Sequence, residues 1–254
     1  MENNPHPLTL VEMVIAAKKR VSLISKEFEA GFNFLINYPR SVTIFGSTKT
    51  VEGDQFYENA VALAGKIVKE LHYSIITGGG PGIMEAANKG AFEAGGQSLG
   101  LTIELPGGQI TNKYLTDKVG FHYFFSRKVC LAFSAEAYIF FPGGFGTLDE
   151  FLEILTLIQT HKIPQAPMIL FGKDYWQPLE EYFKNTLVAE DKIKIEDLNV
   201  YTITENEEEI LEIIKKAPVR FGVEYDQKSE NPGKNNHSKK ESGPLSYLSK
   251  KIGW

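Results

Sequence analysis

The chain has 254 residues, of which 43% are hydrophobic and 23% charged, the composition of an ordinary globular protein with one large domain or two small ones. Its formal net charge of −5 and pI near 5.7 argue against a general nucleic-acid-binding protein, whose surface is normally basic. The single cysteine excludes an intrachain disulfide. No apolar stretch reaches the roughly 18–20 residues that span a bilayer, and residues 1–13 do not resemble a signal peptide. We therefore expect a cytoplasmic protein without membrane contact.

The first 40 residues are predicted to form a helical extension. Leu10, Val14, Val21, Ile24 and Phe28 recur at spacings close to the helical period. We expect one or two amphipathic helices that pack outside the main domain.

Residues 41–225 alternate between short apolar runs and amphipathic segments. Strands are predicted at 42–45, in "YSIIT" before the glycines at 78–80, and at 98–103, 122–125, 137–141, 168–171 and 200–203. Helices are predicted at 54–71, from "GGGPG" to the glycines at 95–96, from about 126, and at 147–159, 175–189 and "TENEEEILEIIKK". This alternation predicts an α/β fold, a Rossmann-like doubly wound and mostly parallel sheet flanked by helices. The polar residues 226–254 are expected to be disordered.

Three loops between a strand and a helix consist mainly of small residues: "FGSTKT", "TGGGPG" and "PGGFGT". If the strands are parallel, all three loops lie at the carboxyl edge of the sheet, where such folds bind ligands. A glycine loop that opens a helix presents backbone N–H groups to an anion, although each loop alone is also compatible with a simple tight turn. Together they favour a phosphate site.

Two common nucleotide motifs are excluded. No stretch has the Walker A spacing, and the dinucleotide fingerprint lacks its third glycine, since Gly144 and Gly146 are followed by Thr147, Leu148 and Asp149. Phosphate binding therefore remains, whereas NAD binding is not favoured.

Two motifs resemble the LOG (Lonely guy) family of nucleoside 5′-monophosphate phosphoribohydrolases: "GGGPGIMEAANKGA" at 78–91 and "PGGFGTLDE" at 142–150. The second fits the family hallmark Pro-Gly-Gly-x-Gly-Thr-x-x-Glu in full, and Arg127-Lys128 matches an Arg-Lys pair of the family. The resemblance extends from about Ser41 to Ala189. The N-terminal extension looks like that of the longer bacterial branch, for which AMP hydrolysis is the usual assignment.

The resemblance implies cleavage of a nucleotide's N-glycosidic bond, with AMP or a cytokinin riboside monophosphate as substrate, in a homodimer whose active site lies near the subunit contact. Glu150 and Arg127 are then the catalytic candidates; a carboxylate suits an oxocarbenium-like transition state and a guanidinium suits a phosphate. Both also have ordinary interpretations, a helix-dipole contact for Glu150 and a surface ion pair for Arg127. The candidates for binding substrate are Gly143, Gly144, Gly146, Thr147, Gly79, Gly80, Glu85, Ser47 and Met84. Glu85 is equally explained as a carboxylate at a helix start.

No metal or other cofactor is expected. The five histidines share no ligand-like spacing, a lone Cys130 cannot anchor zinc and is interpreted as a core thiol, and nothing indicates the pyridoxal phosphate chemistry of the lysine decarboxylase label that relatives have carried. Lys128 is interpreted as ordinary surface, and Phe145 is expected to pack against a neighbour. "ELPGGQITNKY" departs from the family pattern at Gly107-Gly108, which leaves the role of that loop open.

Two other functions remain open. A non-catalytic nucleotide-binding or sensor protein would use the same loops without needing Glu150. Single-stranded DNA binding on a related fold is disfavoured by the acidic balance of the chain.

Overall fold

The computed structural model describes residues 9–104 and 111–219. The predicted tail at 226–254 and the Gly107-Gly108 pair lie outside the described residues. The helices are α1 (Leu10–Ile36), α2 (Gln55–Lys66), α3 (Ile83–Glu93), α4 (Phe124–Ala132), α5 (Phe145–Gln159), α6 (Lys173–Tyr182) and α7 (Glu207–Lys216). The strands are β1 (Ser41–Phe45), β2 (Ser74–Thr77), β3 (Ser98–Ile103), β4 (Asp117–Phe121), β5 (Ala137–Phe140), β6 (Met168–Leu170) and β7 (Tyr201–Ile203). Short π-helical segments extend α2 over Ile67–Leu71 and α6 over Phe183–Val188, and a 3₁₀ helix at Ile195–Val200 precedes β7.

The seven strands form one sheet in the order β4-β3-β2-β1-β5-β6-β7, and every neighbouring pair is parallel. The predicted Rossmann-like doubly wound fold is therefore confirmed. The strand order reverses between β1 and β5, which pair from Val42–Ala137 to Phe45–Phe140. In an open α/β sheet, this reversal creates a crevice at the carboxyl ends of the two strands.

Both faces of the sheet are covered, because successive side chains of a strand point to opposite sides. On one face, Phe45, Phe140 and Phe151 join a cluster that also includes residues of α1, α4 and α6. On the other face, Val42 and Ile44 pack with residues of α2, α3 and α7. Strands buried on both sides explain why the central runs of the sequence are continuously apolar.

The extension is one long helix, α1, whose two halves differ in their surroundings. A capping box between Thr9 and Glu12 fixes its start. Gly31 and Leu35 in the C-terminal part are buried, whereas the side chains of Leu10 and Val21 are 77% and 66% exposed. The expectation of a helix packed against the domain therefore holds only for its C-terminal part.

One predicted strand is wrong. The aromatic run His122–Phe125 was expected to be a strand, but the strand is Asp117–Phe121 and α4 begins at Phe124. β4 is an edge strand, so most of its side chains are exposed and it lacks the apolar pattern that identifies central strands. Within the described part of the chain, no helix is both long and apolar enough to cross a membrane.

Candidate functional site

The three small-residue loops meet at the carboxyl edge of the sheet. The N–H of Ser47, after β1, donates to the carbonyl of Pro142, after β5, at 3.0 Å. The carbonyl of Ser47 in turn accepts from the N–H of Ile83, the first residue of α3, at 2.9 Å. Ser47 thus joins the loops that follow β1, β2 and β5 through its backbone.

Gly144 and Gly146, at the start of α5, border open space. Gly144 is the N-cap, and no side chain of the described residues caps this helix end. A Cβ at Gly144 or Gly146 would meet no heavy atom within 4 Å, and neither residue has a positive φ. Neither packing against the described residues nor a positive φ requires glycine here, and the open space leaves room for a ligand to approach the helix N-terminus.

Unlike Gly144 and Gly146, Gly143 is packed closely against a neighbouring side chain, that of Thr147. The Thr147 side chain is buried and occupies the space that a Cβ on Gly143 would need. The carbonyl of Gly143 accepts a hydrogen bond from the Tyr175 hydroxyl, which comes from the first turn of α6. Tyr175 was not predicted, because its partner is 32 residues away in the sequence and an isolated tyrosine carries no motif.

The loop after β2 is held by a buried polar network. Gly79 has a φ of +70°, a conformation that favours glycine, and its carbonyl accepts from the N–H of Asn112 at 2.9 Å. The Asn112 side-chain amide donates to the carbonyl of Gly80 at 3.0 Å and to Asn88 Oδ1 at 2.9 Å. Asn112 and Asn88 therefore fix the shape of the loop. Asn88 lies within the motif at 78–91 but was not predicted as a site residue, and no local signal in the sequence marked Asn112.

Met84 and Glu85 lie in the first turn of α3, and both side chains are half-buried. The Met84 sulfur lies against the backbone of Gly78, where a Cβ would be 2.8 Å from it. Both residues border the loop after β2, but no contact of the described residues assigns either of them a role.

Arg127 extends from α4 into the same region. Its Nε donates to the carbonyl of Leu101 in β3 at 2.7 Å, and its guanidinium occupies the space beside Gly78 where a side chain would otherwise lie. Burial lowers the pKa of Arg127, and the neighbouring Glu150 opposes this shift. The guanidinium stays charged at neutral pH and is fixed next to the carboxylate.

Glu150 is a buried carboxylic acid, with only 9% of the residue exposed. Among the described residues its Oε2 atom has no hydrogen-bond partner. The pKa of Glu150 is raised to about 7, mainly by burial. The charges of Arg127 and Lys128 oppose this rise, whereas those of Glu153 and Asp149 add to it. A carboxylic acid that titrates near neutral pH in such surroundings is typical of a functional group.

Two side chains differ from their predicted surroundings. Lys128 is not ordinary surface, because its side chain is only 17% exposed and its ammonium group binds Asp149 at 2.8 Å and Glu153 at 3.1 Å, which links α4 to α5. Phe145 was expected to pack against a neighbour, but it lies in the first turn of α5 and is 91% exposed. Cys130 is the expected core thiol: it is fully buried, and burial raises its pKa to about 12. No group of three or more potential metal ligands occurs within 9–104 and 111–219.

Comparison with known proteins points to one family. A family model described as "Possible lysine decarboxylase" matches residues 84–214. The cytokinin riboside 5′-monophosphate phosphoribohydrolase of Rhodococcoides fascians is 27% identical over 154 residues, which cover 59% of this chain and 77% of that protein. The Arabidopsis thaliana enzyme of the same name, LOG5, is 25% identical over 186 residues, covering 72% of this chain and 81% of its own. Among solved structures, the molybdenum cofactor binding protein of Rippkaea orientalis superposes with a TM-score of 0.52 at 23% identity, covering 69% of this chain and 93% of that one, which is a likeness of fold alone.

Proposed function

The chain belongs to the LOG family, whose model bears the description of a possible lysine decarboxylase, and on that basis we propose that it hydrolyses the N-glycosidic bond of a nucleoside 5′-monophosphate. The products are the free base and ribose 5-phosphate. AMP and a cytokinin riboside monophosphate are the proposed substrates. The observation that carries the proposal is the buried Glu150, one turn beyond a helix N-terminus that has no side-chain cap.

The 5′-phosphate is proposed to bind at the first turn of α5. The N–H groups of Phe145, Gly146 and Thr147 point out of the helix without an intrahelical acceptor, and the helix dipole favours an anion there. The guanidinium of Arg127 adds a fixed positive charge on the neighbouring helix. A nucleoside without the phosphate has no group for these donors and is expected to be a poor substrate.

Glu150 is proposed to act on the sugar in its ionised form. As the bond from the anomeric carbon to the base nitrogen breaks, its electron pair leaves with the base, which takes up a proton from the solvent, and positive charge develops on the ribose. The carboxylate stabilises this charge and accepts the proton of the water that attacks the anomeric carbon. Since the pKa of Glu150 is about 7, kcat/KM should rise with pH through that region.

The residues do not favour the decarboxylase description. Pyridoxal phosphate chemistry needs an uncharged lysine amine to form the Schiff base. Lys128 is the lysine whose charge acts on Glu150. Burial alone would lower the pKa of Lys128, but the hydrogen bond that its ammonium group donates to Asp149 and its ion pair with Glu153 outweigh burial, and the pKa is raised. Its ammonium group therefore stays protonated and paired.

The test is an assay of the pure protein with a panel of nucleoside 5′-monophosphates and the matching nucleosides, with detection of free base. We expect cleavage of the monophosphates only. Glu150→Gln should retain nucleotide binding and lose release of ribose 5-phosphate by orders of magnitude. Unchanged turnover in this variant would refute the role of Glu150, and binding without any turnover in the unaltered protein would support a nucleotide sensor instead.

We also propose that the protein is a homodimer, with the subunit contact beside the site. Phe124, Phe125 and Phe145 support this, because they are exposed in the first turns of α4 and α5. The ion pair of Lys128 with Asp149 joins these helices one turn further on, so the three aromatic rings lie at the same edge of the molecule. Light scattering coupled to size-exclusion chromatography tests the dimer, and a monomer at assay concentration would contradict it.

A further inference from the structure

The carboxylate of Glu27, in the middle of α1, is bound to the start of α4. It accepts hydrogen bonds from the backbone N–H of His122 at 2.8 Å and of Tyr123 at 3.3 Å, and from the hydroxyl of Ser126. These partners lie 95 to 99 residues away in the sequence. Glu27 therefore connects the helical extension to the N-terminal end of α4.

α4 has no cap of its own. Its N-cap residue, Tyr123, makes no side-chain capping bond. A helix start leaves backbone N–H groups without acceptors, and a negative charge there also interacts favourably with the helix dipole. The Glu27 carboxylate supplies both the acceptor and the charge from another element.

The turn that Glu27 holds also carries Arg127. Ser126, which donates to Glu27, is the residue immediately before Arg127. The Arg127 guanidinium reaches Leu101 and Gly78, and its charge lowers the pKa of Glu150. A shift or fraying of the first turn of α4 would therefore move the arginine relative to the carboxylate.

Other contacts keep α1 in place when Glu27 is changed. Gly31 lets α1 approach α4 so closely that a Cβ there would collide with the Cys130 sulfur and the Phe121 ring. After the helix, the Tyr38 hydroxyl donates to the Asp117 carboxylate at 2.7 Å. Replacement of Glu27 is therefore expected to loosen the start of α4 without releasing the extension.

We propose that Glu27 is a positioning residue of the site: it fixes the first turn of α4 and thereby sets the placement of Arg127 against Glu150. This role rests on the proposed function for its catalytic meaning, but its structural part concerns the ligand-free protein alone. The helical extension is then a component of the site's geometry, although it contributes no group to the substrate.

The test compares Glu27→Gln with Glu29→Gln, an exposed glutamate on the same helix two residues away. The first readout is the titration of the Glu150 carboxyl carbon by ¹³C NMR without ligand. The charged groups that act on Glu150 are Arg127 and Lys128 from α4, and Asp149 and Glu153 from its own helix. Withdrawal of Arg127 should raise the proton affinity of Glu150 about tenfold in Glu27→Gln, with no change in Glu29→Gln.

The direction of this change separates positioning from a direct charge effect. Loss of a negative charge at Glu27, acting through space alone, would lower the pKa of Glu150, whereas displacement of Arg127 raises it. General destabilisation would reduce the folded fraction and leave the titration unchanged. An unchanged or lowered pKa of Glu150 in Glu27→Gln would overturn the proposal.

The second readout is hydrolysis. With an active protein, Glu27→Gln should lower kcat/KM for the nucleotide about tenfold and move the rising limb of the pH profile to higher pH, as for a mispositioned catalytic group. Equal pH profiles for Glu27→Gln and Glu29→Gln would count against positioning. If the unaltered protein cleaves no nucleotide, the proposed function fails, and the NMR titration still decides the role of Glu27.

Discussion

Replacement of Glu150 by glutamine should make the protein more stable while it abolishes catalysis. Glu150 is buried, its Oε2 has no partner among the described residues, and its pKa is raised from 4.5 to about 7. A carboxylic acid whose pKa is higher in the folded state binds its proton more tightly there, so its ionisation destabilises the fold. Glutamine has nearly the same shape and never ionises.

The size of the effect follows from the difference between the two pKa values. At about 1.4 kcal/mol for each pKa unit, ionisation of Glu150 lowers the free energy of unfolding by about 3 kcal/mol once the pH exceeds 7. The penalty is absent below the unfolded pKa of 4.5 and grows as the pH rises towards 7. Glu150→Gln should therefore gain about 2–3 kcal/mol at pH 8 and less than about 1 kcal/mol at pH 5.

Urea unfolding at the two pH values measures this difference, with Glu93→Gln, an exposed glutamate in α3, as the control. Loss of ribose 5-phosphate release should accompany the gain in stability, as expected when an active site keeps a destabilising group for its chemistry. An equal stability change at both pH values, or a loss at pH 8, would refute the buried-charge explanation.

Three further substitutions test the loops. Gly146→Ala should raise the free energy of unfolding by about 0.5–1 kcal/mol, because alanine favours helix and its Cβ meets no neighbour. The same substitution should raise KM for the nucleotide at least about tenfold. An unchanged KM in steady-state assays would mean that the ligand does not bind at this surface. Tyr175→Phe removes the hydrogen bond to the Gly143 carbonyl, so it should lower the free energy of unfolding by about 1 kcal/mol and raise KM for the nucleotide several-fold. A KM equal to that of the unaltered protein would exclude a role of Tyr175 in shaping the loop. Asn112→Ala leaves the buried carbonyl of Gly80 without its donor and should lower the unfolding free energy by about 1–3 kcal/mol in urea titrations; a loss below about 0.5 kcal/mol would mean that the loop is held by other contacts.

The sequence predicted the sheet because its central strands are buried on both faces and end in glycine loops. Parallel strands bring their carboxyl ends to one edge, so convergence of the loops followed from strand direction alone. β4 escaped prediction because an edge strand with exposed side chains has no apolar pattern, while the aromatic residues after it resemble a strand. In the structure these aromatic residues lead into α4, whose start is bound by Glu27, and Glu27 is too distant in the sequence to be recognised as a cap.

The groups that support the site were less predictable than the groups within it. Gly144, Gly146 and Glu150 belong to a local motif, so their spacing could be recognised. Asn112 and Tyr175 each donate a side-chain hydrogen bond to a carbonyl 32 residues away, and such pairs become visible only when the chain is folded. The ion pairs of Lys128 with α5 were missed for the same reason.

The pairing of β1 with β5 has a consequence for how the molecule assembles. These strands are separated by the whole segment from Phe45 to Ala137, and the hydrogen bond between Ser47 and Pro142 forms only when they are neighbours. A nascent or truncated chain that ends before β5 therefore lacks the edge at which we propose the nucleotide binds, however much helix it has formed. Conversely, a nucleotide bound to the loops after β1 and β5 would stabilise the pairing of these two strands. Its binding would then slow amide hydrogen exchange more in β1 and β5 than in the other strands.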